Sequence, residues 1–418
     1  MNNDGLNRRT RLQLAQLGRE YMAAGQFIGR TGYAALRMKH GDDSYKEVAI
    51  ENWMYASPVY TQRMQKAMGF AGGHDIPTIF KGLQLECGFA HQYFDVHFEV
   101  SGPEQGRFWL VSCGPLLETE PRGEQAVKTM CHDVEDPTFD ATAVATNPRA
   151  RMKPVHRPPR VPADRVPHCE WNVFIDHEAE PLTELPGTRR MRQTRLANLA
   201  IQRGESREPG GMDYYDGPVL EQLTLEQLSH AALVVVCKEL AVQFHLLINS
   251  LMLSIDERYG RESADAVAEF QMTGSAWVIS ERLSRWLGDG REGIDRIVDI
   301  LAIHPAFQPA EYISLSVEKT ADNAARLSLS PCPAGDEMEG YGWFGLLKKG
   351  KTEGLEALVK GIDRKATLQR VEADGLVWDI TIDAAASVGE DPLPVQVAKG
   401  TVMYQTRFED RIQMLESV

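Results

Sequence analysis

Apolar residues recur at helix-like spacing through residues 9–41, where Leu12, Leu14, Leu17, Tyr21 and Met22 mark the stripe. A second helical stretch covers 44–69, and Pro58 predicts a kink in it. A third begins near Asp75, a good N-cap followed by Pro77 in the first turn. The period then changes from helical to alternating. Phe94, Val96, Phe98 and Val100 point one way and Tyr93, Asp95, His97 and Glu99 the other, which predicts a half-buried strand. The turn GPEQG leads to a second strand over 107–113. A short helix is expected over 124–132, then strands over 149–155 and 169–175.

The same order then returns. Helices are predicted over 225–259 and 264–287 and from Gly293, strands over 312–317 and 326–330, a helix over 354–360, and strands over 366–371 and 376–382. The segment VYTQRMQKAMG (59–69) lies over VISERLSRWLG (278–288), so that Val59, Arg63, Met64, Met68 and Gly69 meet Val278, Arg282, Leu283, Leu287 and Gly288. FWLVSCGP over LSLSPCPA sets Cys113 on Cys332, and HCEWNVFID over GLVWDITID sets Trp171 on Trp378. Such self-similarity decides the architecture before any single element does. The expected fold is α+β: two tandem copies of a helical bundle packed on a four-stranded antiparallel sheet, forming an intramolecular pseudo-dimer. The first repeat takes 1–177, a linker 178–222 and the second, diverged repeat 223–418. Within the linker, RRMRQTR from Arg189 suits either an amphipathic helix packed on one half or a solvated face.

The net charge of −14 argues against a nucleic-acid partner, which needs a basic face. The opening MNNDGLNRRTRLQLAQ lacks the apolar core of a secretory signal. The most apolar run, 231–236, meets Lys238 and Glu239 too early for a membrane span. Six cysteines are sparse for 418 residues, so the expectation is reduced thiols in a cytoplasmic protein with no membrane partner.

Ionisable residues concentrate in the first copy. Cys113 closes the second strand, Cys131 closes the short helix and Cys169 opens the last strand, with His132, Glu135, Asp136 and Asp140 in CHDVEDPTFD and His156 and His168 nearby. Antiparallel pairing of the last strand would bring these ends to one rim. Cys131, His132, His156, His168 and Cys169 are then candidate ligands for a divalent, zinc-like metal, although no CxxC pair exists. Without a metal, Cys131 would be a nucleophile beside an imidazolium, with Glu135 or Asp136 orienting it or activating water. Plain packing of buried thiols is the third reading. The hairpin KPVHRPPRVPADRVPH (153–168) is stiffened by prolines and carries Arg157, Arg160 and Arg165. Guanidinium forks suit a carboxylate or phosphate, which makes Arg157 and Arg160, beside Trp171, candidate substrate contacts. The line Asp95, His97, Glu99 is either a proton or metal relay or a solvent face, where the second copy has Tyr312, Ser314 and Ser316.

The element order together with CGPLLETEP around Cys113, CHDVEDPTFD around Cys131 and HCEWNVFI around Cys169 resembles one family. It is the L-2-amino-thiazoline-4-carboxylic acid hydrolase-like proteins, related in fold to the 4-vinyl reductase domain. The resemblance covers roughly 44–176 and, as a skeleton, 264–383. Cys113, Cys131, Asp136 and Cys169 occupy the family's cysteine and acidic places. It implies a hydrolase acting on a small carboxylate-bearing molecule, ring opening at a C–N bond being one form, with Cys131, His132, Glu135 and Asp136 central. The chain departs from the family in having two domains, and its second copy keeps only Cys332. The rival expectation is a non-catalytic small-molecule-binding or assembly protein whose cysteines pack or hold a structural ion. A small-molecule substrate is the implied partner, and pairing of two chains as a homodimer stays open.

Overall fold

The computed structural model describes residues 5–205, 207–287, 290–371 and 375–400. Gly288 of the repeat match and the tail after Gly400 lie outside them. The first half runs α1 (Arg11–His40), α2 (Tyr45–Ala67), α3 (Ile76–Leu83), β1 (Phe94–Gly102), β2 (Gln105–Cys113), α4 (Gly114–Thr119) and α5 (Glu124–Lys128). A π-helical turn (Thr129–Val134) joins α5 to α6 (Glu135–Val144), and β3 (Ala150–His156) and β4 (Cys169–Ile175) close the half. The linker holds α7 (Pro186–Arg192). The second half runs α8 (His230–Tyr259), α9 (Arg261–Leu287), α10 (Gly293–Leu301), β5 (Leu315–Ala321), β6 (Ala324–Leu329), α11 (Trp343–Lys348), α12 (Glu353–Ile362), β7 (Ala366–Arg370), β8 (Leu376–Ile382) and α13 (Leu393–Gly400).

Local chemistry explains the long helices. Thr10 and Gln13 form a reciprocal capping box at the start of α1, and Gly41 ends it with φ +84. Ser229 caps α8, and Gly260 ends it with φ +81. The expected kink at Pro58 does not break α2, which is helical on both sides of it. The short helix expected over 124–132 is longer. It continues through a π turn into α6, so CHDVEDPTFD is helical and Cys131 sits inside a helix instead of at its end. Pro137, which has no N–H to give, stands just after the register changes.

Both sheets are four-stranded and antiparallel, with the orders β1-β2-β4-β3 and β5-β6-β8-β7. Phe108 faces Trp171 in the first, and Leu327 faces Trp378 in the second. Each tryptophan is fully buried. The helices of the two halves are crossed: α2 packs on α8, α9 packs on α1, and α1 and α8 pack on each other. Two buried ion pairs bolt that crossing. Arg63 of α2 clasps Glu239 of α8 with two bonds of 2.8 Å, and Arg282 of α9 clasps Glu20 of α1 at 2.7 and 3.1 Å. Side-chain amides repeat the pattern, Asn52 donating to the Leu247 carbonyl at 2.8 Å and Gln271 to the Ile28 carbonyl at 2.9 Å. The same sequence offset relates Arg63 to Arg282, Glu20 to Glu239, Asn52 to Gln271 and Ile28 to Leu247.

α8 is apolar on all sides, as a fully enclosed helix must be. Its composition alone would suit a membrane span, but 94% of its apolar window is buried in the protein. Lys238 and Glu239, which break its first apolar run, are neutralised by Glu311 and Arg63. Met191 and Leu196 are fully buried, so RRMRQTR is docked, helical through Arg192 and turning at 193–195, with Arg189, Gln193 and Arg195 exposed.

Candidate functional site

Three of the four cysteines of the first half, Cys113, Cys131 and Cys169, converge as the strand pairing requires. Leu110 pairs with Cys169 across β2 and β4, Cys113 ends β2, and Cys131 comes up from the π turn into the same apolar cluster. Burial, then the nearby Glu135 carboxyl, pushes the Cys131 thiol far above its usual range, and Cys113 and Cys169 are raised for the same reasons in the same order. A thiolate nucleophile is therefore disfavoured at all three. Burial also pushes Glu135 up to about 8, against the opposing charge of Arg157. It is a proton donor at neutral pH.

The histidines do not join the thiols as a ligand set. His132 Nε2 meets the Pro158 carbonyl at 2.7 Å, His156 Nε2 the Pro167 carbonyl at 3.1 Å, and His168 Nδ1 accepts the Cys113 N–H at 3.1 Å. Among the described residues, no three His, Cys, Asp or Glu side chains stand where they could share a metal ion. The residues present do not fit the zinc-like cofactor, and no chemistry is derived through one. All six cysteines are unpaired thiols.

The arginines of the hairpin are already engaged. Arg157 pairs with Asp136 and reaches the Cys131 carbonyl, and Arg160 grips Glu120 with two bonds of 2.8 Å. Trp171 lies in the core, stacked on Phe108 at 6.3 Å. On the sheet's outer side, His97 stacks on Trp109 and is held by Glu221 at 2.7 Å, under the end of the linker.

A cavity of about 1070 Å³ lies between α1, α2, the π turn with α6, and the first sheet. Of the residues singled out from sequence, Glu135 and Cys169 line it; His132, Asp136, His156, Arg157, Arg160, His168, Trp171 and Cys131 do not. Its cationic residues are Arg30 and Arg37 from α1, Lys46 from α2 and Arg122 from the segment before α5, interspersed with the carboxylates of Asp42, Asp43, Glu47 and Asp133. Burial lowers the pKa of Arg30 and of Arg37, and Arg122 adds repulsion to both. Arg37 lies 3.8 Å over the Tyr45 ring, and Arg30 pairs with Glu118 while lying 5.2 Å over Tyr93. Tyr33, Trp53, Tyr60 and Phe89 make an aromatic interior. Glu86, 4% exposed and accepting from the Thr61 hydroxyl at 3.3 Å, is pushed up to about 8 by burial.

Among known proteins, the chain matches no family model, no curated protein and no solved structure.

The corresponding region of the second half is filled. At the sequence offset of the crossed pairs, Arg30, Tyr33 and Arg37 become Asn249, Met252 and Asp256. The segment 341–343 lies directly on them: Tyr341 donates to Asp256 at 2.9 Å, the Gly342 N–H points at Met252 sulfur at 3.1 Å, and a Cβ on Gly342 would come within 2.8 Å of Asn249. Tyr341 and Trp343 are buried, whereas Arg122 and Glu124, at the same places in the first half, are exposed. Sequence reasoning passed over the cavity's residues because each lies in an ordinary helix or loop. The signal available was the change of Arg30, Tyr33 and Arg37 to Asn249, Met252 and Asp256 at the offset that relates the crossed pairs.

Proposed function

We propose that the first half is a binding module for a flat, carboxylate-bearing small molecule, and that the second half is a diverged tandem copy that braces it. The observation carrying this reading is the contrast between an open, arginine-edged aromatic cavity and a counterpart filled by the chain itself. The volume is that of pockets that enclose drug-sized molecules. Arg122 disfavours the charge of Arg37, which Asp42 at 4.0 Å offsets only in part, and an anion bound at Arg37 adds to that relief. The faces of Trp53, Tyr60 and Phe89 suit a planar ring. The crossed pairs Arg63–Glu239 and Arg282–Glu20, at one sequence offset, support descent from a pseudo-two-fold pair. Six unpaired thiols favour a reducing compartment such as the cytoplasm.

The test is calorimetric titration with 2-naphthoate. Wild-type protein should bind it at a single site, and Arg37→Gln should weaken binding about 10- to 150-fold, the worth of one charge-assisted contact. Arg160→Gln should bind like wild type. Absence of saturable binding to the wild-type protein would refute the reading.

A second reading, hydrolysis of the bound molecule, is favoured by Glu135. Protonated up to about pH 8 in the cavity wall, it is suited to protonate a leaving nitrogen as water adds to the carbon. If a hydrolysable amide or cyclic C–N substrate is turned over, Glu135→Gln should slow it by about 10²- to 10⁴-fold. Unchanged turnover in that variant would remove this reading and leave the binding module.

A further inference from the structure

The polar atoms at the inner end of the cavity are only partly matched. Arg30 uses Nη2 to hold Glu118 Oε2, but Arg30 Nη1, Glu118 Oε1 and Tyr93 Oη are buried without a hydrogen-bond partner among the described residues. Tyr93 is 0% exposed. One donor, one acceptor and one hydroxyl on three residues that line the same cavity thus stand unmatched, and buried polar groups are rarely left so.

The second half provides the missing partners from its own chain. Tyr312 and Glu337 take the places of Tyr93 and Glu118 at the offset of the crossed pairs, and the Tyr312 hydroxyl donates to Glu337 Oε2 at 3.0 Å. The linker then brings the backbone N–H groups of Arg195 and Leu196 onto the two Glu337 oxygens at 3.0 and 3.1 Å, and the Met338 N–H adds a third donor at 2.9 Å. Among the described residues, Glu118 Oε1 has no counterpart of the linker amides that serve Glu337.

We propose, building on the reading of the cavity as a small-molecule site, that its ligand carries an N–H or O–H donor directly beside an oxygen acceptor. The donor meets Glu118 Oε1, and the oxygen receives Arg30 Nη1 and the Tyr93 hydroxyl. This is the pattern of a carboxamide, a lactam or a hydroxy acid, and it mimics the backbone amides that occupy the second half. The rest of such a molecule lies along the aromatic walls formed by Tyr33 and Phe89 toward Arg37. The site therefore selects by hydrogen-bond pattern as well as by charge. A binding site built around buried polar groups rejects analogues that leave those groups unmatched.

The experiment compares 2-naphthamide with 2-acetonaphthone, in which a methyl group replaces the NH₂ while the carbonyl stays, by calorimetric titration of the full chain. The amide should bind about 5- to 150-fold more tightly, since the ketone leaves Glu118 Oε1 unmatched. Glu118→Gln should shrink that preference. Tyr93→Phe, which keeps the ring and guards against a folding defect in the first variant, should weaken both probes. Equal binding of amide and ketone to wild-type protein would overturn the proposal while leaving the cavity as a binding site. So would failure of both to bind when 2-naphthoate does. Failure of all three probes would sink the binding-module reading itself.

Discussion

The first and second halves share an element order, a sheet order and a set of crossed contacts, yet they treat one segment in opposite ways. Gly123 and Gly342 have nearly the same backbone, with φ +95 and +94. Around Gly342, Tyr341 and Trp343 turn inward and are buried. Around Gly123, Arg122 and Glu124 stay at the surface and the space beneath remains a cavity. A backbone held constant by glycine can thus present either a plug or a mouth, and the residues beside it decide which. The polar interior follows the same rule: Glu337 is served by linker amides, whereas Glu118 Oε1 has no partner among the described residues.

The comparison breaks most readily at the plug. Trp343→Ala should cost about 3–5 kcal/mol of stability, because a large buried ring leaves a cavity that collapses only in part. Urea unfolding measures it. A loss under 1 kcal/mol would mean that the segment 341–343 does not seal the second half. The shared crossing is nearly as sensitive. Glu239→Gln strands the buried Arg63 charge and Glu20→Gln strands Arg282, each at a cost of about 3–5 kcal/mol. Near-equal losses in parallel unfolding curves would sharpen the equivalence of the halves, and a several-fold difference would blur it.

A smaller effect separates the halves by pH. Glu86 and Glu135, both in the first half, have folded pKa values raised from 4.5 to about 8. A raised folded pKa means that the folded state holds a proton that the unfolded state releases. Their contribution is therefore fully present below about pH 4.5 and is lost as pH rises toward 8, at up to about 1.4 kcal/mol per pH unit for fully buried Glu86. Chemical denaturation from pH 5 to 8 should show stability falling, and Glu86→Gln should flatten that slope. An unchanged slope in the variant would mean that Glu86 is ionised in the folded protein.

Much of this architecture was legible in the sequence. The helical stripe of α1, the alternation from Phe94 and the match of Arg63 with Arg282 all correspond to observed elements. The site was less legible, for a physical reason. Cys131, His132, His156 and His168 attracted notice because their side chains are reactive in isolation. In the fold the proline-rich hairpin offers few N–H groups to its own carbonyls, so His132 and His156 turn to the carbonyls of Pro158 and Pro167. The conspicuous residues serve the backbone. Those that build the cavity, Arg30, Glu86, Tyr93 and Glu118, come from separate elements and carry no motif, and only the three-dimensional comparison of the halves brings them together.

The central claim is that one half is built to receive a molecule and the other is closed. It is tested most directly by the crystal structure of the protein with 6-bromo-2-naphthoate, whose bromine gives an anomalous signal. The account predicts one bromine peak inside the first half, in the aromatic cavity edged by Arg37 and Arg122, with the carboxylate toward those guanidinium groups. A peak in the second half beneath Tyr341, or beside Arg157 on the outer hairpin with the cavity empty, would contradict it.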